Sequence, residues 1–506
     1  MKRVLLLLLI IDALFIKAQN APAIEWQKSI GGPEAYPNSI QQTTDDGYII
    51  AGNSKSNRGD VTGNHGGNDF WIVKLDSAGK IIWQKSLGGS YDDFVSSVIQ
   101  TTDGGFIAAG SSSSLDGDVT GNHGARDIWV VKLNPSGVIE WQKTYGGSYS
   151  EAASAIQQTT DGGYIVAGSS SSKNGDVTGN HGSSDGWIIK LDSTGIIQWQ
   201  KSLGGSLSDG ANSIQQTTDG GYIVAGDTHS SDGDITSNHG NGDFWVVKLN
   251  SLGVIEWQKT LGGTEYDAAY SVQQTTDGGY VIAGETFSKN GDVIGNHGNA
   301  DFWVVKLDAL GNILWQKTFG ADGYEAAYSI KATKNGNFII AGESRSDDLM
   351  TYYVSNDYFL VKIDAAGNLI WQKKLGGTDN DYAIMAQQTK DDGYIIAGMA
   401  YSINLDVTEI TAKDIWIVKL KSEALDIQDN AGLEEIDIGP NPVKDKIYLK
   451  NINKIQSLKI YDVAGKLVKT KLGKNNYLIV SDLAPGKYFL QIITDKKTYT
   501  KKIIKN

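Results

Sequence analysis

The feature that most limits what this chain can become is an internal repeat. His65, His123, His181, His239 and His297 stand at steps of 58 residues. A "WQK" marker appears seven times, at Trp26, Trp83, Trp141, Trp199, Trp257, Trp315 and Trp371. A second marker of the form D-x-W-V-V-K-L also appears seven times, from DFWIVKL at Asp69 to DIWIVKL at Asp414. All 13 tryptophans belong to these two markers. Self-similarity at a fixed period means a chain of supersecondary units, each too small to bury its own apolar face.

One unit holds four strand candidates. SIQQTT leads through DGG into YIVAG, a long polar loop leads to FWVVKL, and a D-S-x-G-like turn returns the chain through I-x-W-Q-K-S. Runs of Val, Ile, Thr and aromatics flanked by Gly and Asx turns are the hairpin signal. FWVVKL and YIVAG lack polar alternation, as strands covered on both faces do. Four antiparallel strands repeated seven times predict an all-β, seven-bladed β-propeller over residues 24–420. The chain enters on a fourth strand (IEWQKS) and leaves the repeat on a third, so the N-terminal strand is expected to complete the last blade. An open solenoid would leave sheet edges exposed at both ends.

Strand alternation places two kinds of loop on one face of the disc: second-to-third loops and fourth-to-first loops. The octapeptide GDVTGNHG lies in the former, at Gly59, Gly117 and Gly175, and returns as GDITSNHG at Gly233 and GDVIGNHG at Gly291. The fourth-to-first loops, such as GGSYDDF and GGTEYDAA, are rich in Asp, Glu and Tyr, whereas the opposite face carries short turns only. Binding surfaces are loops on rigid scaffolds. The candidate binding residues are therefore Asp60, His65, Asp118, His123, Asp176, His181, Asp234, His239, Asp292 and His297. The bland alternative is a compact loop whose Asp caps a turn and whose Gly takes positive φ.

Asp69, Asp127, Asp185, Asp243 and Asp301 persist as Asp357 and Asp414 in blades whose loops diverge. They are expected to be structural caps that accept backbone N–H groups where each loop enters its strand. No cofactor is expected. Each octapeptide has one or two acids, short of the six to eight oxygens calcium needs, which leaves calcium a minor alternative. Equivalent histidines on a sevenfold disc sit on the order of 13 Å apart, against about 2 Å from ligand to zinc. Nucleophile elbows, H-E-x-x-H and phosphate loops are missing, so the expectation is a non-enzyme. The competing class is a polysaccharide hydrolase using acid pairs such as Asp92 with Asp93, or Asp379 with Asp381.

The two ends differ from the body. Residues 1–18 place Lys2 and Arg3 before a short apolar run, with Ala18 as a small cleavage residue, which reads as a secretory signal peptide. No later segment is long and apolar enough to span a membrane. There is no cysteine, hence no disulfide and no thiolate metal site. Residues 437–506 carry 15 lysines and 5 acids; with an overall charge of −13, the rest carries −23. An acidic body excludes a nucleic-acid partner.

After a linker at residues 421–435 the text becomes IGPNPVKDKIYL, LKIYDVAGKLV, LIVSDLAPGKYFLQI and KTYTKKIIK. Strands with turns at each break read as a small Ig-like β-sandwich. Residues 436–506 resemble the C-terminal sorting domain of the type IX secretion system. The resemblance rests on Pro440, Asn441 and Pro442, on Tyr461, Asp462 and Gly465, and on Gly486 and Tyr488. It implies Sec export, passage through the outer membrane, contact with the secretion machinery and its C-terminal signal peptidase, and release or attachment to surface lipopolysaccharide. The expected function is a secreted or surface-displayed binding and adhesion module for glycan or protein. The DSA and DST turns at Asp76 and Asp192 resemble short O-glycosylation acceptors of bacteria with this export system, and serve equally as three-residue turns.

Overall fold

Each of the four motifs of the repeat folds as one strand, and the four pair in chain order. In the second blade these are Asp93–Gln100, Phe106–Ser112, Asp127–Leu133 and Ile139–Tyr145. The computed structural model describes residues 20–346, 355–408, 414–423, 437–450, 455–462, 466–472, 477–494 and 498–506. The signal-peptide expectation, Gly465, and much of the sixth and seventh blades' long loops lie outside the described residues. Among the described residues every regular element is a strand. No helix among the described residues is long and apolar enough to cross a membrane. The chain divides into two compact units, residues 1–422 and 423–506.

The first unit contains seven four-stranded antiparallel sheets. Six are built from consecutive strands. The seventh combines Asp381–Gln388, Tyr394–Ala400 and Asp414–Leu420 with the N-terminal strand Ile24–Ile30. Trp26 pairs with Lys419 and Ser29 with Trp416 in that sheet. The closing strand repeats the bonds made elsewhere: Trp416 Nε1 donates to Gln27 Oε1 at 2.9 Å, as Trp71 Nε1 does to Gln84 at 2.8 Å.

No blade has a core of its own. The buried side chains fall into seven clusters, each shared between two adjacent blades. One joins Ile50, Trp71 and Val73 of the first blade to Ile395, Ile415 and Ile417 of the seventh, which closes the ring. The equivalent cluster between blades one and two contains Phe70, Trp129 and Val131. Both faces of the second and third strands are buried, which explains their unbroken apolar text. The WQK tryptophan of one blade meets the second-strand aromatic of the next, as Trp83 meets Phe106 at 5.6 Å and Trp26 meets Tyr48 at 6.0 Å.

Polar residues of SIQQTT join the inner strands side by side. Ser271 Oγ accepts the Ile330 N–H at 3.2 Å, and Gln41 Oε1 accepts the Gln100 N–H at 2.7 Å. Lys390 N–H donates to Gln42 Oε1 at 2.9 Å across the closing interface. On the short-turn face the buried lysine of each W-V-V-K-L reaches an aspartate of the T-x-D-G turn, as Lys132 reaches Asp103 at 2.9 Å. Blade six is different: Asn335 replaces the aspartate, and Lys362 bonds the Tyr394 hydroxyl instead.

The second unit is a two-sheet sandwich. Asp437–Gly439, Lys446–Lys450 and Tyr477–Ile479 form one sheet. Leu467–Leu472, Ile455–Tyr461, Gly486–Thr494 and Thr498–Lys505 form the other, in that order. Ile447, Leu458, Ile460, Leu490, Ile492 and Ile503 are among the buried residues between them.

A chain that begins after Gly32 loses the closing strand, exposes the Asp414–Leu420 edge and leaves Tyr48 without Trp26. It is expected to melt at a lower temperature than the full propeller and to scatter light on heating. An unchanged melting midpoint in calorimetry would mean that the seventh blade does not depend on that strand.

Candidate functional site

The loop-rich face starts from the octapeptide, and the third blade shows what each residue does. Gly175 sits at φ 69°, where a side chain is strained. Asp176 makes a reciprocal pair with the preceding fourth-to-first loop. Its N–H donates to Gly146 O at 2.9 Å, and its Oδ2 accepts the Gly146 N–H at 3.1 Å. Val177 is buried as a plug between blades. Thr178 Oγ1 accepts Gln200 Nε2, and its carbonyl accepts Ser202 Oγ at 3.0 Å. Asn180 closes the loop, donating to Ser170 O at 2.7 Å and accepting from Gly182 N–H at 3.1 Å. His181 places both its N–H and its Nδ1 against Asp185 Oδ2, at 2.9 and 2.7 Å.

The other copies repeat this. Asp60, Asp118, Asp234 and Asp292 accept the N–H groups of Gly31, Gly88, Gly204 and Gly262 at 3.1–3.3 Å. His65, His123, His239 and His297 lie 2.6–2.8 Å from Asp69, Asp127, Asp243 and Asp301. The imidazoles stay partly exposed, 38% for His65 and 56% for His297. The seventh blade's loop reads as divergent in the sequence, yet Asp406 donates its N–H to Gly376 O at 3.2 Å and Val407 is buried. Leu405 there adopts φ 57°, where the other copies place glycine. Among the described residues no group of three or more His, Asp and Glu is arranged to hold a metal ion.

The loop-cap aspartates are fully buried in blades one to five. Burial pushes the Asp69 carboxyl up to about 6 against the lowering effect of His65. Asp127, Asp185 and Asp243 shift up for the same reason. Asp357 has no histidine, and burial with nearby Asp381 pushes it to about 6. Asp414 instead accepts Ser29 Oγ at 2.8 Å, and burial raises it too. In six of these residues, Asp414 being the exception, the Oδ1 atom is buried without a partner.

The structure adds a second ring of acids that sequence reasoning did not single out. Asp93, Glu151, Asp209, Asp267, Glu325 and Asp381 lie at the start of the first strands of blades two to seven, and all are buried. Asp93 Oδ2 accepts the Gly89 N–H at 2.8 Å and Ser114 Oγ at 2.9 Å. Gly88 is compressed between the two rings: a methyl there would stand 2.5 Å from Asp93 Oδ2 and 2.7 Å from Asp69 Oδ1. Each of the two acid pairs named for the hydrolase alternative is split by burial. Asp93 and Asp381 are inside, and only Asp92 and Asp379 face out. The signal was present in the repeat, since an acid recurs at this position in every blade except the first, which has Ala35.

The inner strands surround a central channel. Each carries a β-bulge at one register position, and the bulged residue points into the channel mouth on the loop-rich side. Cavities of ≈ 410 and ≈ 460 Å³ occupy the mouth and the barrel of the channel. Lys331 is the single charged residue lining the latter among the described residues, at a position where most other blades place glutamine.

In the second unit Asn441 pins the last strand, donating to Lys502 O at 2.9 Å and accepting the Ile504 N–H at 2.7 Å. Pro440 and Pro442 flank it after cis peptide bonds. Asp462 Oδ1 accepts the Lys466 N–H, and Tyr461 OH donates to Gln491. Gly486 starts a strand, and Tyr488 OH donates to Ala484 O at 2.9 Å. Asp76 and Asp192 each accept two N–H groups within their turns, closed by Gly79 and Gly195 at positive φ.

The fold is that of a closed seven-bladed propeller protein carrying a C-terminal sandwich. Residues 437–506 match the family described as the Secretion system C-terminal sorting domain, so the C-terminal unit is the sorting domain. No curated protein matches the chain. Among solved structures it is similar to PorZ, a surface component of the type-IX secretion system of Porphyromonas gingivalis, at 11% identity and a TM-score of 0.42. That match covers 94% of this chain and 60% of PorZ, so the chain spans under two thirds of that relative. The extracellular domain of a protein described as a hybrid two component system from B. thetaiotaomicron gives 12% identity and a TM-score of 0.44, over 96% of this chain and 60% of that one. Sqt1 from Chaetomium thermophilum gives 10% and 0.41, over 79% and 100%.

Two outcomes test the loop. Val177→Ala is expected to cost about 1–3 kcal/mol in urea unfolding, the loss for truncating a buried aliphatic plug, while a chelator leaves the melting midpoint of the parent unchanged. For Asp357, a folded pKa raised from 3.8 to about 6 favours the native state below pH 4, and that stability is lost as pH rises to 6. Asp357→Asn removes this dependence. Relative to the parent it should gain stability on going from pH 4 to pH 8, measured by denaturant unfolding at both.

Proposed function

We propose that this exported propeller is a binding and adhesion module that meets a glycan or protein partner through its loop-rich face. Export itself follows from the sorting domain, which directs passage to the cell surface or secretion and implies engagement with the type IX machinery. An N-terminal signal peptide, removal of the tail by the C-terminal signal peptidase and attachment to lipopolysaccharide complete the proposed route.

The observation that carries the binding reading is the state of the carboxylates. A glycosidase needs two carboxyl groups facing one substrate bond. Here Asp93 and Asp381 are buried and held by loop N–H and hydroxyl groups. Asp92 accepts both the N–H and the amide of Asn68 at 2.9 Å, which holds its carboxyl below the usual range. The octapeptide acids are engaged by glycine N–H groups. What remains outward is a set of rigid loops, suited to recognition.

Deleting residues 437–506 is expected to leave a folded propeller in the periplasm, and surface or medium levels equal to the parent would refute the export role of the tail. For the propeller, the expected result is binding on a glycan or protein array without release of reducing sugar. Sustained turnover of a polysaccharide would overturn the binding reading.

A further inference from the structure

The blades agree wherever the fold needs them to, so the places where they disagree together are informative. At the channel mouth, blades two and three carry small residues: Ser96 and Ser154 at the bulge, with Ser111 and Ser169 beside them on the second strand. Blades five and six carry Tyr270 and Tyr328 at the bulge, with Glu285 and Glu343 beside them. Two further positions change in step: Tyr266 and Tyr324 precede the first-strand acids where blades three and four have serine, and Phe287 follows the second strand.

These residues form one connected array. Glu285, only 4% exposed, accepts the hydroxyls of Tyr270 and Tyr324, each at 2.6 Å. Glu343, only 5% exposed, accepts the Tyr328 hydroxyl and the Asn356 amide, the latter at 2.6 Å. Ring centroids run 5.7 Å from Tyr270 to Tyr328, 5.9 Å from Tyr324 to Phe287 and 6.2 Å from Phe287 to Tyr266. Tyr266 stacks at 15° on His229 of blade four. Burial raises the Glu343 carboxyl, so placing that acid here costs stability that a serine, as in blades two and three, does not.

We infer that the aromatic side of the channel mouth, built by Tyr270, Tyr328 and their carboxylate anchors Glu285 and Glu343, is a binding site for an uncharged saccharide. The inference rests on the binding reading above and locates its site. Each anchored phenol donates its O–H to a carboxylate and keeps an oxygen lone pair to accept a sugar hydroxyl. The anchoring fixes the ring planes, which offer flat apolar faces to the C–H side of a pyranose. Asn38, Asn53 and Asn212 line the same mouth; each holds the scaffold through one amide group, at Val95 O, Val95 N–H and Ala269 O, and has its other amide group to offer a hydroxyl. No lysine or arginine lines it among the described residues, which disfavours phosphates and uronates. A cavity of ≈ 410 Å³ is within the usual ~300–1,000 Å³ of ligand sites.

The test uses the full chain, its variants and a panel of neutral oligosaccharides built from glucose, mannose, galactose and N-acetylglucosamine, with choline as a cationic probe. The double variant Tyr270→Ser with Glu285→Ser copies the Ser96 and Ser111 pair of blade two, so folding is preserved. Calorimetry is expected to show at least one neutral saccharide bound by the parent. The double variant should bind it about tenfold or more weakly with a melting midpoint no lower than the parent's, while Leu252→Ser, at an exposed residue of a short turn on the opposite face, leaves the affinity within about twofold. Equal affinity in the double variant would refute this site and leave the binding reading standing. Binding of choline alone, or of no neutral saccharide, would refute the ligand class. Turnover of a bound saccharide by the parent would instead refute the binding reading.

Discussion

Everything in the propeller depends on apolar contact between blades. A four-stranded sheet whose second and third strands are apolar on both faces cannot be stable alone, because each face must find another sheet. Each buried aliphatic or aromatic side chain contributes about 1.5–3 kcal/mol only when that partner is present. The seven shared clusters supply it in a circle, and the circle requires the first strand of the propeller to pair with its last. The serine and glutamine bonds between inner strands, and the tryptophan contacts at the rim, hold each blade at its angle to the next.

The repeated polar residues are the other half of that arrangement. Long loops between buried strands bring backbone N–H groups and carboxylates into the interior, where unpaired groups cost free energy. The octapeptide answers this locally: aspartate holds the preceding loop, asparagine closes its own turn, threonine joins the outer strand, and histidine partners the buried aspartate behind it. That explains why its letters recur so strictly without any requirement for a ligand. The six buried Oδ1 atoms beside a second ring of acids mark where the solution is incomplete.

The proposed binding site belongs to departures from the repeat. Between Tyr266 and Glu343 the same scaffold replaces serines with tyrosines and glutamates, and the bulge that turns a small side chain into the channel in one blade turns an aromatic ring there in another. The basic sandwich serves a separate purpose, since its pinned C-terminal strand and turn residues belong to an export domain.

Much of this was legible in the sequence, for a physical reason. Strand period, turn residues and repeat spacing are local, and a 58-residue period with seven copies of each strand leaves few closed solutions. The blades and the closing strand could therefore be read directly, and the tail domain through its resemblance to a known family. Burial of individual acids could not. Asp92 and Asp93 are adjacent letters of one class, and only the first strand's register and the overlying loop decide that one faces solvent while the other lies inside. The same holds for the channel mouth. Tyr270 and Glu285 are 15 residues apart on neighbouring strands, and Tyr324 reaches that glutamate from the next blade. Sequence alone determined which units form and how often. Tertiary structure decided which side chains meet, because a ring brings together residues whose separation in the chain carries no trace of their contact.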